Sequence, residues 1–364
     1  MRITLVISSL QAGGAERVLT HMADHWADLG EAITLITFLP ATEDHYPLPS
    51  NVERICVPIF SQTSNPGARL VWQFRRHRHL RKAILATRPD AVISFVDKTN
   101  VRVLLSLWGK SIPVIVSERS NPEKWPISRA WQVLRKFTYR RASTVVMQTE
   151  SAAQWLHTNI HSVHSHVIAN PVRHYDDQPA TNREQIVLAV GRLSHEKGYD
   201  LLVRAWHSVV ADLPPWRLVL LGDGEQKSEL QALVEQLDLT QSVDFAGQVP
   251  DPTPYLRSAS IFALPSRLEG FPNALLEAMA QGVAVASFDC DFGPRDIIQH
   301  ETNGLLVPAG DWQALGQAIA RLAASEDLRK RLGQRALEVR TRYALAEIMT
   351  QWSALVEQVL EDQQ

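Results

Sequence analysis

Two successive series of short β-branched runs, each alternating with longer helical stretches, restrict this chain more than any other feature. The first series places strands near 2–8, 32–38, 52–57, 91–96, 113–117 and 143–148, with helices such as 14–29, 68–87 and 128–141 between them. The second starts afresh near Gln185, with strands at 185–191, 216–221, 243–246, 260–264, 283–288 and 304–307 and helices near 198–211, 225–237, 273–281 and 311–323. Strands that alternate with helices build βαβ units and so parallel sheets with helices on both faces. The expected fold class is α/β, with two Rossmann-like, doubly wound parallel-sheet domains. Between the series, Asn170-Pro171 opens a polar stretch with two prolines and no apolar periodicity, which reads as a linker. The expected division is a domain over 1–170, a linker over 171–184, a domain over 185–340 and a C-terminal helix over 341–364 that returns to the first domain.

Size and composition agree with two domains. At roughly 150 residues per domain, 364 residues fill two with some chain left over. Hydrophobic residues at 45% and charged residues at 21% exclude a disordered chain and allow large cores. Cys56 and Cys290 are the only cysteines, so neither a disulfide framework nor a multi-cysteine zinc site can be built. The apolar run Ile3 to Ile7 is too short for a secretory signal core. No run approaches the roughly 18 apolar residues of a spanning helix. A cytoplasmic location with at most peripheral membrane contact is expected.

The net charge of -2 conceals a split. Residues 1–180 carry 21 Lys/Arg against 14 Asp/Glu, a balance of +7, whereas 181–364 carry 16 against 25, a balance of -9. The first half is built to meet negative charge. Within it, the run Arg69 to Lys82 holds six Lys/Arg and no acid. On a helix Leu70, Val71 and Phe74 share a face, with Trp72 beside it, while Arg75, Arg76, Arg78, Arg81 and Lys82 spread around the remainder. A second basic amphipathic stretch runs from Ser128 to Arg141, where Trp131, Leu134 and Phe137 alternate with Arg129, Arg135, Lys136, Arg140 and Arg141. Both suit an anionic membrane surface or a lipid diphosphate. Both also suit helices whose apolar faces pack on the first sheet. Nucleic acid is not an expected partner, because no recognition motif accompanies this charge.

Parallel sheets bind ligands beyond the carboxyl ends of their strands, so the loops after the strands carry the chemistry. After the first strand, Gly13 and Gly14 open a helix, where a backbone can approach an anion closely and a tight turn also finds its place. The spacing matches neither a dinucleotide-binding GxGxxG nor a P-loop. After the first strand of the second series, Arg192 and Lys197 sit where two cations can converge on a diphosphate, one as a planar fork and one as a point charge. A solvated loop is the plain alternative. Further on, Gly270-Phe271-Pro272 precedes an apolar helix that starts near Asn273 and ends at Gly282. Glu269 lies in the loop before that helix and Glu277 about one turn inside it. The backbone from 272 to 275 lacks partners within the helix and is read as a nest of donors. Two carboxylates flanking such donors suit a ligand with hydroxyls and phosphates, although Glu269 as a cap and Glu277 facing solvent would need no ligand.

Taken together, Glu269 and Glu277 with seven residues between them, the run Gly191 to Asp200, Gly222-Asp223-Gly224 and Gly13-Gly14-Ala15-Glu16-Arg17 resemble the motifs of retaining glycosyltransferases of family 4. The resemblance extends in order and spacing over nearly the whole chain. It implies a GT-B fold, two domains facing a cleft, and no essential metal or cofactor. It further implies that Arg192 and Lys197 hold the donor diphosphate, that Glu277 binds the ribose and that Glu269 binds hydroxyls of the transferred sugar. The backbone of Phe271, Pro272, Asn273, Ala274 and Leu275 would orient sugar and phosphate. Gly13 and Gly14 would admit the diphosphate to the first domain, and Val249, in the turn after Gly247, would border the base. Family members often carry a histidine after the strand that here reads Pro113 to Ser117. This chain continues Glu118-Arg119-Ser120-Asn121-Pro122, which resembles a bacterial subgroup extending polyprenyl-diphosphate-linked oligosaccharides or surface polysaccharides. Glu118 is a candidate to touch sugar or acceptor or to accept a proton, and equally to pair with Arg119 or another cation.

Metal readings are weaker. Asp289-Cys290-Asp291 matches a DxD, but that motif belongs to another transferase fold, and His161, His164 and His166 have no carboxylate in their pattern. The implied function is transfer of a hexose or N-acetylhexosamine from a nucleotide-sugar donor, UDP-linked, to a lipid-linked saccharide acceptor at the inner face of a bacterial membrane. A nucleotide-sugar epimerase of the same fold, a two-domain sugar-binding protein and an inactive transferase-like scaffold are the rivals.

Overall fold

The computed structural model describes residues 1–11, 13–58, 66–124, 127–175 and 177–363, those of 66–74 by backbone alone. The chain divides into two compact units, Met1–Asn170 with Ile348–Gln364, and Pro171–Glu347. Both are helix-covered parallel sheets.

In the first unit the strands are β1 (Arg2–Val6), β2 (Ala32–Thr37), β3 (Glu53–Cys56), β4 (Ala91–Phe95), β5 (Val114–Ser117), β6 (Thr144–Met147) and β7 (Ser165–Val167). They lie in the order 3-2-1-4-5-6-7, all parallel. Every residue of β4, Ala-Val-Ile-Ser-Phe, is buried, as a strand covered on both faces requires. Leu5 of β1 pairs in register with Leu35 on one side and Ile93 on the other. Strand β7 has no counterpart in the sequence reading. Three residues, Ser165-His166-Val167, are too few to show a period.

The last helix, Leu345–Glu361, gives most of its length to this unit. Trp352 is fully buried with its ring 5.8 Å from that of Phe95, and Trp26 donates its indole N–H to Ser353 Oγ at 2.9 Å. Each such side chain contributes about 1.5–3 kcal/mol by leaving water. The C-terminal helix expected over 341–364 begins at Leu345, after two shorter helices, Glu326–Ala336 and Val339–Arg342.

In the second unit the strands are β8 (Glu184–Val190), β9 (Arg217–Leu221), β10 (Val243–Gly247), β11 (Ala259–Leu264), β12 (Ala284–Asp289) and β13 (Leu305–Pro308), parallel in the order 10-9-8-11-12-13. Its core gathers Trp206, Tyr199, Phe288, Leu218 and Ile261. Both sheets reverse strand order once, between β1 and β4 and between β8 and β11. At such a switch point neighbouring loops leave in opposite directions and open a crevice beyond the carboxyl ends. The loops after β8 and β11 flank that crevice in the second unit, and they carry the motifs singled out above.

Candidate active site

Backbone packing and one arginine clasp bring the two loops together. Gly198 adopts a left-handed conformation, φ 68°, and a Cβ there would lie 2.1 Å from the carbonyl oxygen of Pro265. Gly222, φ 149°, stands equally close to the loop after β8, with its would-be Cβ 1.9 Å from the Gly191 carbonyl oxygen. Arg267 and Leu268 both donate their amides to the Glu196 carbonyl, at 2.8 and 3.2 Å. The Arg267 guanidinium donates to both carboxylate oxygens of Asp200 at 2.7 Å and to the His195 carbonyl at 2.9 Å. Burial pushes the Asp200 carboxyl up, but the hydrogen bonds and charge of Arg267 more than offset this and hold it below the usual range.

The result is a contact between residues 72 positions apart. Lys197 Nζ lies 2.7 Å from Glu269 Oε1, which also accepts a hydrogen bond from Ser266 Oγ at 2.7 Å. Glu269 is buried, with 6% of its surface exposed. The Lys197 side chain keeps 29% of its own exposed. Arg192 is exposed, and its guanidinium makes no hydrogen bond or ion pair among the described residues. Burial pushes the Glu196 carboxyl up, but hydrogen bonds from the Ser194 hydroxyl and the backbone, followed by the charges of Lys197 and Arg192, hold it below its ordinary range.

Helix Asn273–Ala280 starts where the apolar run begins and has no side-chain cap at its N-terminus. The expected nest of donors over 272 to 275 is smaller than the sequence reading. Pro272 has no N–H, and the Asn273 amide donates to the Phe271 carbonyl at 3.0 Å. Ala274 and Leu275 retain amides without a partner among the described residues. The Phe271 ring is buried 6.0 Å from the ring of Tyr343, so this residue offers a ligand its backbone only.

Glu277 is buried 6% exposed, with Oε1 3.7 Å from Arg173 Nε. Arg173 also donates to Asp251 Oδ1 at 3.0 Å, next to the turn that carries the half-buried Val249. Burial and the Glu277 charge together push the Tyr175 hydroxyl up. Arg173 and Tyr175 fall in the stretch 171–184, which reads from sequence as a linker. Their polar surroundings carry no period, and nothing in the spacing announces a pairing across more than a hundred residues.

In the first unit, Glu118 is 2% exposed and its oxygens are taken up locally. Ser120 donates to Oε1 at 3.1 Å, Tyr139 donates to Oε2 at 2.8 Å, and Arg135 lies 3.7 Å from Oε2. Burial pushes the Glu118 carboxyl up, against the pull of Arg135. Its cation is thus Arg135, not the adjacent Arg119, whose guanidinium sits 4.0 Å from the Phe95 ring centroid and donates to Asn170 Oδ1. Gly13 is the extended residue before helix Gly14–Asp28, and the Glu16 carboxylate folds back over it, 2.1 Å from where a Cβ would stand. Burial raises the Glu16 carboxyl. Arg75, Arg78 and Lys82 lie on the exposed part of helix Pro66–Ala86, with Arg76 and Arg81 half-buried. The face formed by Leu70, Val71 and Phe74, with Trp72 beside it, lies outside the described side chains. Asp289 is held by Arg295 through two hydrogen bonds of 2.8 and 2.9 Å, and His166 Nδ1 is 3.1 Å from Thr144 Oγ1. No helix among the described residues is long and apolar enough to cross a membrane.

One outcome follows from Gly198. Gly198→Ala forces a left-handed alanine against the Pro265 carbonyl, which is expected to cost about 2–4 kcal/mol. A lower melting temperature together with lost turnover is the expected result, since the neighbouring Lys197 is displaced with the loop. An unchanged melting temperature would contradict the packing described.

Comparison with known proteins bears on the family and the fold. The model of Glycosyltransferase Family 4 matches residues 12–174, and that of glycosyl transferases group 1 matches residues 173–339. The chain is 28% identical over 364 residues, 99% of each chain, to the GalNAc-alpha-(1->4)-GalNAc-alpha-(1->3)-diNAcBac-PP-undecaprenol alpha-1,4-N-acetyl-D-galactosaminyltransferase of Campylobacter jejuni. It is 27% identical to the amylovoran biosynthesis glycosyltransferase AmsD of Erwinia amylovora, over 97% of this chain and 99% of the other. Among solved structures, the sucrose-phosphate synthase of Thermosynechococcus elongatus superimposes with a TM-score of 0.82 at 21% identity, covering 99% of both chains. Anabaena HepE in complex with UDP superimposes with a TM-score of 0.80 at 19% identity, covering 98% of this chain and 100% of the other. With a Family 4 half followed by a group 1 half on two parallel sheets, the chain belongs to the GT-B glycosyltransferases.

Proposed function

We propose that this glycosyltransferase moves a hexose or N-acetylhexosamine from a UDP-linked donor to a hydroxyl of a lipid-linked saccharide, with retention of anomeric configuration and without a metal. The observation that carries the reading is the Lys197–Glu269 pair at the β8/β11 switch point, beside a helix N-terminus with two free amides.

The arrangement suits a diphosphate leaving group. In the resting protein Lys197 is neutralised by Glu269. A bound donor diphosphate gives the ammonium a second anion, and Glu269 turns its remaining acceptor capacity to the hydroxyls of the sugar. Arg192 supplies a planar fork to the same phosphates, and the Ala274 and Leu275 amides add the positive end of the helix. Charge builds on the phosphate oxygens as the anomeric C–O bond breaks, so these fixed donors act most strongly in the transition state. The acceptor oxygen then bonds to the anomeric carbon on the same face, and its proton passes to the departing phosphate. Glu277 accepts from the ribose hydroxyls.

The lipid-linked acceptor is proposed because the Campylobacter relative is named for an undecaprenol-linked substrate. Such an acceptor places the chain at the inner face of the membrane, where the basic first unit, including Arg75, Arg76, Arg78, Arg81 and Lys82, faces anionic lipid.

The test is a thermal-shift panel of UDP-, GDP- and ADP-sugars, followed by transfer assays with the stabilising donor in EDTA. A donor at a hundred times its Kd adds about 2.7 kcal/mol of apparent stability. Stabilisation by UDP-sugars, with an α-linked product from an α-linked donor, is expected. An epimer formed from donor alone, or turnover that stops in EDTA, would overturn the respective parts of the reading.

A further inference from the structure

Five large hydrophobic side chains stand exposed among the described residues, and three of them, Trp108, Val133 and Phe137, gather at one place in the first unit. Their exposed fractions are 40%, 66% and 55%. Val133 and Phe137 lie four residues apart on helix Arg129–Thr138, hence on one face. The Phe137 ring stacks on Trp108, centroids 5.3 Å apart and planes 20° apart. The Arg141 guanidinium sits 3.9 Å from the Trp108 ring centroid. The helix cannot simply roll to hide this stripe, because its buried side already holds Arg135 and Thr138. The apolar face expected from sequence, Trp131 with Leu134 and Phe137, is divided. Trp131 and Leu134 are half-buried, while Phe137 stays outside with Val133.

The rim has one sign of charge. Lys110, Arg129, Lys136, Arg140 and Arg141 are all exposed, and neither 104–117 nor 127–149 contains an Asp or Glu. A second copy of this chain seated on the patch through the same face would set these cations against each other. An anionic bilayer would not. Amphipathic aromatic rings settle at headgroup depth, and long cationic side chains reach from there to the phosphates.

We propose that Trp108, Val133 and Phe137 enter the headgroup layer of an anionic membrane while the surrounding cations meet its phosphates. The inference rests on the reading of a membrane-resident acceptor and adds an apolar contact in the first unit to the cations of the basic helix Pro66–Ala86.

The test is co-sedimentation of the full chain with vesicles of phosphatidylcholine, alone or with about one third phosphatidylglycerol. The wild type is expected to sediment with the anionic vesicles only and to be released by high salt. Trp108→Ser with Phe137→Ser is expected to weaken binding about tenfold or more at an unchanged melting temperature. Should that double variant melt early, Val133→Asp gives the same readout from a more exposed position. Undiminished binding by a folded variant overturns the proposal, as does a wild type that ignores anionic vesicles. A concentration-dependent dimer abolished by the same substitutions also overturns it. Transfer to a water-soluble acceptor analogue is measured alongside. Transfer without vesicle binding defeats this inference alone, and vesicle binding without any transfer defeats the reading of function alone.

Discussion

Lys197→Ala lowers kcat by roughly 10²–10³ while the protein still folds, the expected effect of removing one preorganised donor to a developing oxyanion. The cause is specific to its position. Lys197 is the cation held against Glu269 at the crevice, with part of its surface open. The substitution also leaves Glu269 buried with Ser266 as its remaining hydrogen-bond donor among the contacts described. A buried charge that loses its partner destabilises, so some fall in melting temperature accompanies the kinetic loss. Combining Lys197→Ala with Glu269→Gln separates the two effects. The double variant is expected to regain melting temperature, because no unpaired carboxylate remains, and to stay inactive. Steady-state kinetics and thermal melting of the three variants check this, and near-normal turnover in Lys197→Ala would refute the assignment.

Glu277→Ala acts through the donor's ribose and changes binding more than chemistry. Each hydrogen bond to a charged group is worth about 1.5–3 kcal/mol, so losing two raises donor KM roughly 10²-fold or more. Folding is spared for a visible reason. Arg173, 3.7 Å from Glu277, keeps Asp251 at 3.0 Å as a second carboxylate, so no cation is stranded. Donor titration by calorimetry, together with kcat and KM, tests the point. An unchanged donor affinity would remove Glu277 from the ribose site.

The strands were legible because a parallel sheet covered on both faces needs short, mostly apolar runs, and Ala91–Phe95 and Ala259–Leu264 each hold a single polar residue, a serine. Strand Ser165–Val167 was not, being an edge of three residues with one apolar side chain. The loops after β8 and β11 could be found because glycine and proline mark where the chain must turn. That Lys197 meets Glu269 could not, since the contact depends on Gly198 packing on Pro265 and on Arg267 clasping Asp200. Counting donors from sequence also overstated the helix N-terminus, where proline and a turn leave two amides of the four positions. Glu118 shows the reverse difficulty. Its type and place suggested chemistry, but its partners Tyr139 and Arg135 are brought to it by a helix more than ten residues away. Arg173 was hidden for the same reason, since a polar stretch carries no period from which a pairing with Glu277 can be read.

The account stands on the second unit's crevice receiving a nucleoside diphosphate, and a crystal structure of the protein soaked with UDP tests that most directly. The pyrophosphate is expected within hydrogen-bonding distance of Lys197, Arg192 and the amides of Ala274 and Leu275, with the ribose on Glu277. UDP bound elsewhere, with the Lys197–Glu269 pair undisturbed and Arg192 directed into solvent, would contradict it.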